Sequence, residues 1–153
     1  MSVFRFFKAS MIDDCRGSNL IELALVLPIF LILIFGSVDF GRAYYQAIEV
    51  ESAAHAGAVY GLQNPQDTDG MQSAALVGAS NVSDLTATAT YGCECSDGTS
   101  DVTSCTYTPS CPDNYVTYVD VATTSTFKPM FHYPGLPKEI TFRGDSHIRV
   151  GGN

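Results

Sequence analysis

Two sets of residues in this chain could do chemistry. The first is a carboxylate in an apolar setting. Glu22 lies just inside a run in which Ser37 is the one polar residue between Leu23 and Val38. An acidic side chain at the centre of a membrane helix costs about 2.5–3.5 kcal/mol, and less toward the end. A group that costly is expected to have a cationic partner; the plainer alternative is a side chain that snorkels to the headgroups. The second set is Cys93, Cys95, Cys105 and Cys111, gathered in the polar half, with Cys15 far away near the N-terminus. Such a cluster reads as two disulfides or a metal site. C-x-C followed by cysteines after nine and then five intervening residues is not a standard zinc spacing. No metal or other cofactor is therefore expected. Cys93 and Cys95 sit two apart in a strand-like segment, so they share a face and can meet different partners. Their mutual pairing would close too tight a loop. This leaves Cys93–Cys105 with Cys95–Cys111, or Cys93–Cys111 with Cys95–Cys105.

Compartment follows from the anchor. Leu20 to Val38 gives about 19 residues, close to the roughly 20 that a helix needs to cross a bilayer core. Arg5, Lys8 and Arg16 precede this run, and the first positive charges after it are Arg42 and then Lys128. The positive-inside bias keeps the N-terminus cytoplasmic and sends the C-terminal part across, where thiols oxidise. The run exceeds the 7–15 apolar residues of an ordinary cleaved signal, and Gly36-Ser37-Val38 makes a poor cleavage site.

The order of residues at the front of the run carries a resemblance. Gly17, five residues before Glu22, resembles the processing signal of type IV pilin-like precursors. The string Leu20-Ile21-Glu22-Leu23-Ala24-Leu25-Val26-Leu27-Pro28, with Gly36, Asp39, Gly41, Arg42 and Ala53-Ala54-His55-Ala56-Gly57-Ala58, resembles the TadE-like family of tight-adherence (Flp-type) pilus assembly. His55 stands where many members would have Arg, and Leu23 where pilin signals commonly have Phe. The resemblance implies cleavage between Gly17 and Ser18 by a prepilin peptidase. It further implies a single-pass inner-membrane protein with a periplasmic or extracellular C-terminal domain. The implied partners are other pilin or pseudopilin subunits, the assembly machinery and the membrane. The new α-amine at Ser18 would have an ordinary pKa near 7.7–8.0, and Glu22 could neutralise it in its own chain or a neighbour. Pro28 lacks an amide donor and can kink the helix.

The elements that must position these groups follow from periodicity. Residues 39–61 contain no proline, and Phe40, Ala43, Tyr44, Ala47, Val50, Ala54, Gly57, Ala58 and Gly61 recur at helical spacing. Gln46, Glu49 and Glu51 lie mostly off that stripe. One helix over 18–62 would be roughly 68 Å long, about twice a bilayer core of about 30 Å. Gly57 and Gly61 form a small-xxx-small pair that suits close packing, within the chain or between copies. Residues 63–70 read as a loop, and Met71–Ala79 as a short helix with Met71, Ala74, Ala75 and Val77 or Gly78 buried. Leu85–Tyr91 running into Cys93, Tyr115–Phe127, and Ile140–Val150, weakened at Gly144, read as strands. The fold expected is α+β: a long N-terminal transmembrane helix whose outer half packs on a small three-stranded antiparallel sheet with two disulfides. The segments are a leader (1–17), the long helix (18–62, about 20–38 in the membrane) and an exported domain (63–153).

Composition excludes several functions. The chain carries a net charge of -8, and from residue 18 onward it has five Lys/Arg against fourteen Asp/Glu. It therefore lacks the cationic surface that nucleic acid needs. His55, His132 and His147 are scattered, and no nucleophile motif or phosphate-cradling loop appears, so no enzyme is expected. Asn81-Val82-Ser83 and Arg143-Gly144-Asp145 match short motifs that arise often by chance. Two functional readings remain. One is a minor pilin or pseudopilin acting in pilus assembly and adhesion. The other is a permanently anchored assembly factor that never enters a filament.

Overall fold

The structure is a computed structural model that describes residues 18–98, 101–102, 105, 111, 114–131 and 135–151. Gly17 and the rest of the leader, and His132, lie outside the described residues. The chain divides into two units, Met1–Asp39 and Phe40–Asn153. Helix α1 (Ser18–Gly61) contributes residues to both and has Pro28 inside it.

In the first unit every large apolar side chain from Leu20 to Val38 is exposed. Leu20 to Val38 would extend about 28 Å as a helix, which matches a hydrocarbon core of about 30 Å. Among the described residues, α1 is the one helix long and apolar enough to cross a membrane. Its internal hydroxyl is satisfied locally: Ser37 Oγ donates to the carbonyls of Leu33 (2.8 Å) and Ile34 (2.9 Å).

The second unit is a helix-on-sheet layer. After α1 come α2 (Thr68–Gly78), β1 (Thr86–Cys95), β2 (Asp101–Val102), β3 (Tyr115–Phe127) and β4 (Ile140–Arg149). The sheet is antiparallel in the order β2-β1-β3-β4. Its three long strands are those expected; β2 is a two-residue addition at the edge, drawn from the loop between the first and last cysteines. Helix α2 starts three residues earlier than its apolar pattern suggests. Asp67 caps it, with Oδ1 accepting from the Gly70 amide at 2.9 Å, so a segment that reads as loop by composition becomes the first turn. Met71 and Ala75 are buried as expected, whereas Val77 is 76% exposed.

The core lies between α1, α2 and one face of the sheet. Val50, Ala53, Ala54, Ala58, Met71, Ala75, Val119 and Val121 are fully buried. The stripe on α1 is made of small residues, so the sheet approaches closely. A Cβ on Gly57 would stand 2.8 Å from the Met71 carbonyl oxygen and 3.0 Å from Val121 Cγ1. The small-xxx-small pair thus serves packing within the chain. The stripe differs from expectation at its start: Phe40 and Tyr44 are 74% and 62% exposed. Helical rotation carries them off the line through Val50, and Gln46 takes the sheet-facing position instead, donating from Nε2 to Ser125 Oγ at 2.6 Å.

Candidate functional site

Helical geometry fixes the relation between the residues at the start of α1. Ser18 opens the helix and Glu22 follows at i+4, one turn on and about 6 Å along the axis. Glu22 is exposed, as are its apolar neighbours. Pro28 lies six residues further on, about 9 Å along the same helix; its missing amide leaves the Ala24 carbonyl without its helical donor.

The cysteines form a second centre. Cys93 and Cys95 project to the inner face of β1 and are 0% and 1% exposed. Cys93 lies at bonding distance from Cys105 (S–S 2.04 Å) and Cys95 from Cys111 (2.07 Å). Of the two connectivities that spacing leaves open, the structure has the interleaved one, Cys93–Cys105 with Cys95–Cys111. All four sulfurs are engaged in pairs, so none remains as a thiolate ligand. The two bridges tie the excursion between β1 and β3 to the sheet at the point where β2 pairs with Cys93 and Glu94.

The face of the sheet away from α1 carries groups whose partnership the sequence did not announce. Glu94 is buried to 9% exposure beside the Arg149 guanidinium, whose Nε donates to Oε1. His147 lies between Glu94 (3.6 Å) and Asp120 (3.9 Å), with its ring 5.0 Å from that of Tyr118. Glu94, Asp120, His147 and Arg149 come from three strands, and only register brings them together. No recognisable spacing could have shown it.

Arg143, Gly144 and Asp145 have an internal explanation. They lie in mid-strand, paired with β3. Arg143 and Asp145, two apart, share a face and bond to each other, with Nε and Nη2 each 2.8 Å from a carboxylate oxygen. The guanidinium holds the Asp145 carboxyl below its ordinary value, and the arginine is raised in turn. Gly144 faces α1 with no room for a side chain. The strand continues through it rather than weakening there.

A buried polar seam locks β3 to its neighbours. Thr123 Oγ1 donates to the Val50 carbonyl at 2.7 Å. Ser125 receives from Gln46 and donates to Asp84 Oδ1 at 2.7 Å, while the Thr126 amide donates to Asp84 Oδ2 at 2.8 Å. These two bonds hold the Asp84 carboxyl below its ordinary value. Asp67 is lowered likewise, first by the Gly70 amide and then by the Tyr60 hydroxyl.

Comparison with known proteins bears on the first of these centres. Residues 17–59 match the family described as TadE-like protein. The match takes in Ser18, Glu22, Pro28 and the small-residue stripe as far as Ala58, and bears out the resemblance to proteins of tight-adherence pilus assembly over that segment. No curated protein and no solved structure matches the chain.

Proposed function

We propose that this chain is a minor pilin or pseudopilin of a tight-adherence pilus, cut between Gly17 and Ser18 by a prepilin peptidase, with its N-terminus cytoplasmic and its disulfide-bonded domain exported. The observation that carries the reading is the family match over residues 17–59, whose segment is a helix with Glu22 one turn inside Ser18. Cleavage would create an α-amine whose ordinary pKa near 7.7–8.0 leaves it largely protonated at neutral pH. An isolated ammonium and an isolated carboxylate are each costly in an apolar medium, and pairing relieves both. Within one chain, the i+4 relation places the carboxylate beside its own amine. In an assembly, the same carboxylate can take the amine of an adjacent subunit, and that exchange would make subunit addition selective for processed chains. The Arg5, Lys8 and Arg16 leader would hold the precursor in the membrane until cutting.

Unreduced mass spectrometry of sheared filaments and of membranes tests the proposal in one experiment. A chain beginning at Ser18 in both fractions is expected. Recovery of Met1 in a strain with an active peptidase refutes processing. A processed chain confined to membranes refutes filament entry and leaves an anchored assembly factor.

A further inference from the structure

Strand β4 is the last strand of its sheet, and among the described residues no other strand pairs with its outer side. The Val150 amide donates to the Thr117 carbonyl at 2.7 Å. The register from the Tyr118–Arg149 pair to the Phe127–Ile140 pair is unbroken, so antiparallel alternation directs the even-numbered positions of β4 to β3. The backbone amides and carbonyls of Thr141, Arg143, Asp145 and His147 therefore point away from the sheet. Natural sheets blunt such an edge with proline, lysine, a bulge or a covering segment. Between Ile140 and Arg149 there is no proline, lysine or bulge, and Arg143 and Asp145 neutralise each other.

The layer above this edge is also incomplete. On β3 the side chains that face the helices, Val119, Val121, Thr123, Ser125 and Phe127, are buried. Their neighbours on β4, Ile140, Phe142, Ser146 and Ile148, are only half-buried. Yet α1 reaches this strand: the Val50 carbonyl and Glu51 Cα fill the space that a side chain on Gly144 would take. A helix is about 10–12 Å across, and neighbouring strands lie about 4.8 Å apart. One that rests on both Thr123 and Gly144 extends past β4. Ile48 and His55, three before and four after Glu51, share its line on the helix, and Leu62 continues that line just beyond the last turn. All four are exposed. Gln46 stands level with the Ser125–Phe142 pair and Gly61 with the Val119–Ile148 pair. The overhang thus places Ile48 toward Phe142, Glu51 at Gly144, His55 toward Ser146 and Leu62 toward Ile148. Among the described residues Glu51 has no cationic partner.

We propose that the open edge of β4 takes up an extended segment of a partner protein as an added strand, with apolar side chains at both ends of its inner face and a Lys or Arg between them at Glu51. Main-chain hydrogen bonds to Thr141, Arg143, Asp145 and His147 hold the strand, and its alternate side chains enter the space beneath α1. The apolar ends cover Ile48 with Phe142 and Leu62 with Ile148. Packed helices need about 8–10 Å between axes, so the overhang admits a lone strand but not a sheet that carries its own helix. The occupant is therefore a tail or loop, and not a second copy joined β4 to β4. The contact lies wholly within the second unit and serves a filament subunit and an anchored factor alike.

A full-length chain extended at Asn153 by a flexible Gly-Ser linker and the strand TVTSTKTVT presents this pattern at high effective concentration. Folded back antiparallel, the strand sets its first valine at Ile148, its lysine at Gly144 and its last valine at Phe142. Residue-resolved hydrogen exchange in detergent reads the edge. In the unextended chain the amides of Arg143, Asp145 and His147 should exchange freely, whereas those of Phe142, Ser146 and Ile148, bonded to β3, should be protected. The TVTSTKTVT extension should slow the edge amides about tenfold or more. Neither TVTSPKTVT, which lacks a central donor, nor TVTSTETVT, which sets a second carboxylate at Glu51, should do so. Edge amides already protected in the unextended chain would mean that its own residues cover β4, and the proposal falls. If no extension slows them, the edge takes no strand. Equal slowing by TVTSTETVT overturns the cation assigned to Glu51.

Discussion

Replacing Gly144 by alanine separates a structural role for this glycine from an adhesive one for the tripeptide around it. A Cβ here would stand 2.7 Å from the Val50 carbonyl oxygen, 2.8 Å from Glu51 Cα and 2.9 Å from the Val50 carbonyl carbon. All three are helix backbone, so no side-chain rotation relieves the clash. Ordinary contact requires α1 and β4 to separate by several tenths of an ångström, which loosens the seam from Gln46 to Gly61. Overpacking of this kind costs about 1–3 kcal/mol. Alanine is compatible with extended backbone and restricts the unfolded chain, which returns about 0.4–1 kcal/mol. The net loss should be about 1–2 kcal/mol, or roughly 4–10 °C in Tm for a unit of this size. Near-UV circular dichroism of the tyrosines, followed on heating the full chain in detergent, reads it directly. Arg143→Ala and Asp145→Ala serve as controls, because that ion pair is exposed and surface pairs stabilise little. Both should melt with the parent protein. If Gly144→Ala melts at or above the parent temperature, the close approach of helix and sheet is not what this glycine provides.

Other consequences follow from the same contacts. An unreduced peptide map should yield Cys93–Cys105 and Cys95–Cys111; recovery of Cys93–Cys111 would refute the pairing. Each bridge closes a short loop, worth about 3 kcal/mol by chain entropy, and because the loops overlap, Cys95→Ser with Cys111→Ser should cost less than half of full reduction in a chemical melt. Thr123→Val removes the donor to the Val50 carbonyl and should cost about 1 kcal/mol in the same melt; an unchanged midpoint would show that this bond adds nothing net. Asp67, Asp84 and Asp145 have folded pKa values depressed below the unfolded value near 3.9. Their stabilisation is therefore fully present above about pH 4 and is lost as pH falls through the folded values. Asp84→Asn should flatten part of that acid limb in a plot of Tm against pH, and an unaltered limb would exclude Asp84 from it.

What was legible in the sequence tracked how local each signal was. The apolar run, its length and the alternation of Thr and Ala in β1 are periodic over one element, and they gave the long helix and the three long strands nearly to the residue. At its start the buried face of α1 departs from the spacing of apolar residues. Phe40 and Tyr44 fit the spacing by type, but the face is decided by what lies opposite, and the sheet presents Ser125 to Gln46. The cap on α2 depends on one Asp67 side chain, which composition counted as loop. The Glu94, His147 and Arg149 cluster and the Asp84 clamp join residues from separate strands, and no window of sequence contains them. Gly144 shows the opposite failure. Its neighbours spell a known tripeptide, yet its cause is a helix almost a hundred residues earlier in the chain.

The distribution of residue types along α1 argues that one helix serves two environments. From Leu20 to Val38 its surface is large and apolar on every side and exposed, which suits lipid and gives no single packing face. From Val50 to Gly61 the buried positions are Val50, Ala53, Ala54, Gly57, Ala58 and Gly61, almost all small, and the opposite side carries Glu51, Ser52 and His55. Small residues bury little area each, so their value lies in letting β3 and β4 reach the helix backbone, where Thr123 bonds to a carbonyl and Gly144 rests against it. A helix packed this closely cannot turn or slide against its sheet without breaking those contacts. Force applied to the helix within this unit would therefore pass to β3 and β4, and through the Cys93 and Cys95 bridges to the loop beyond.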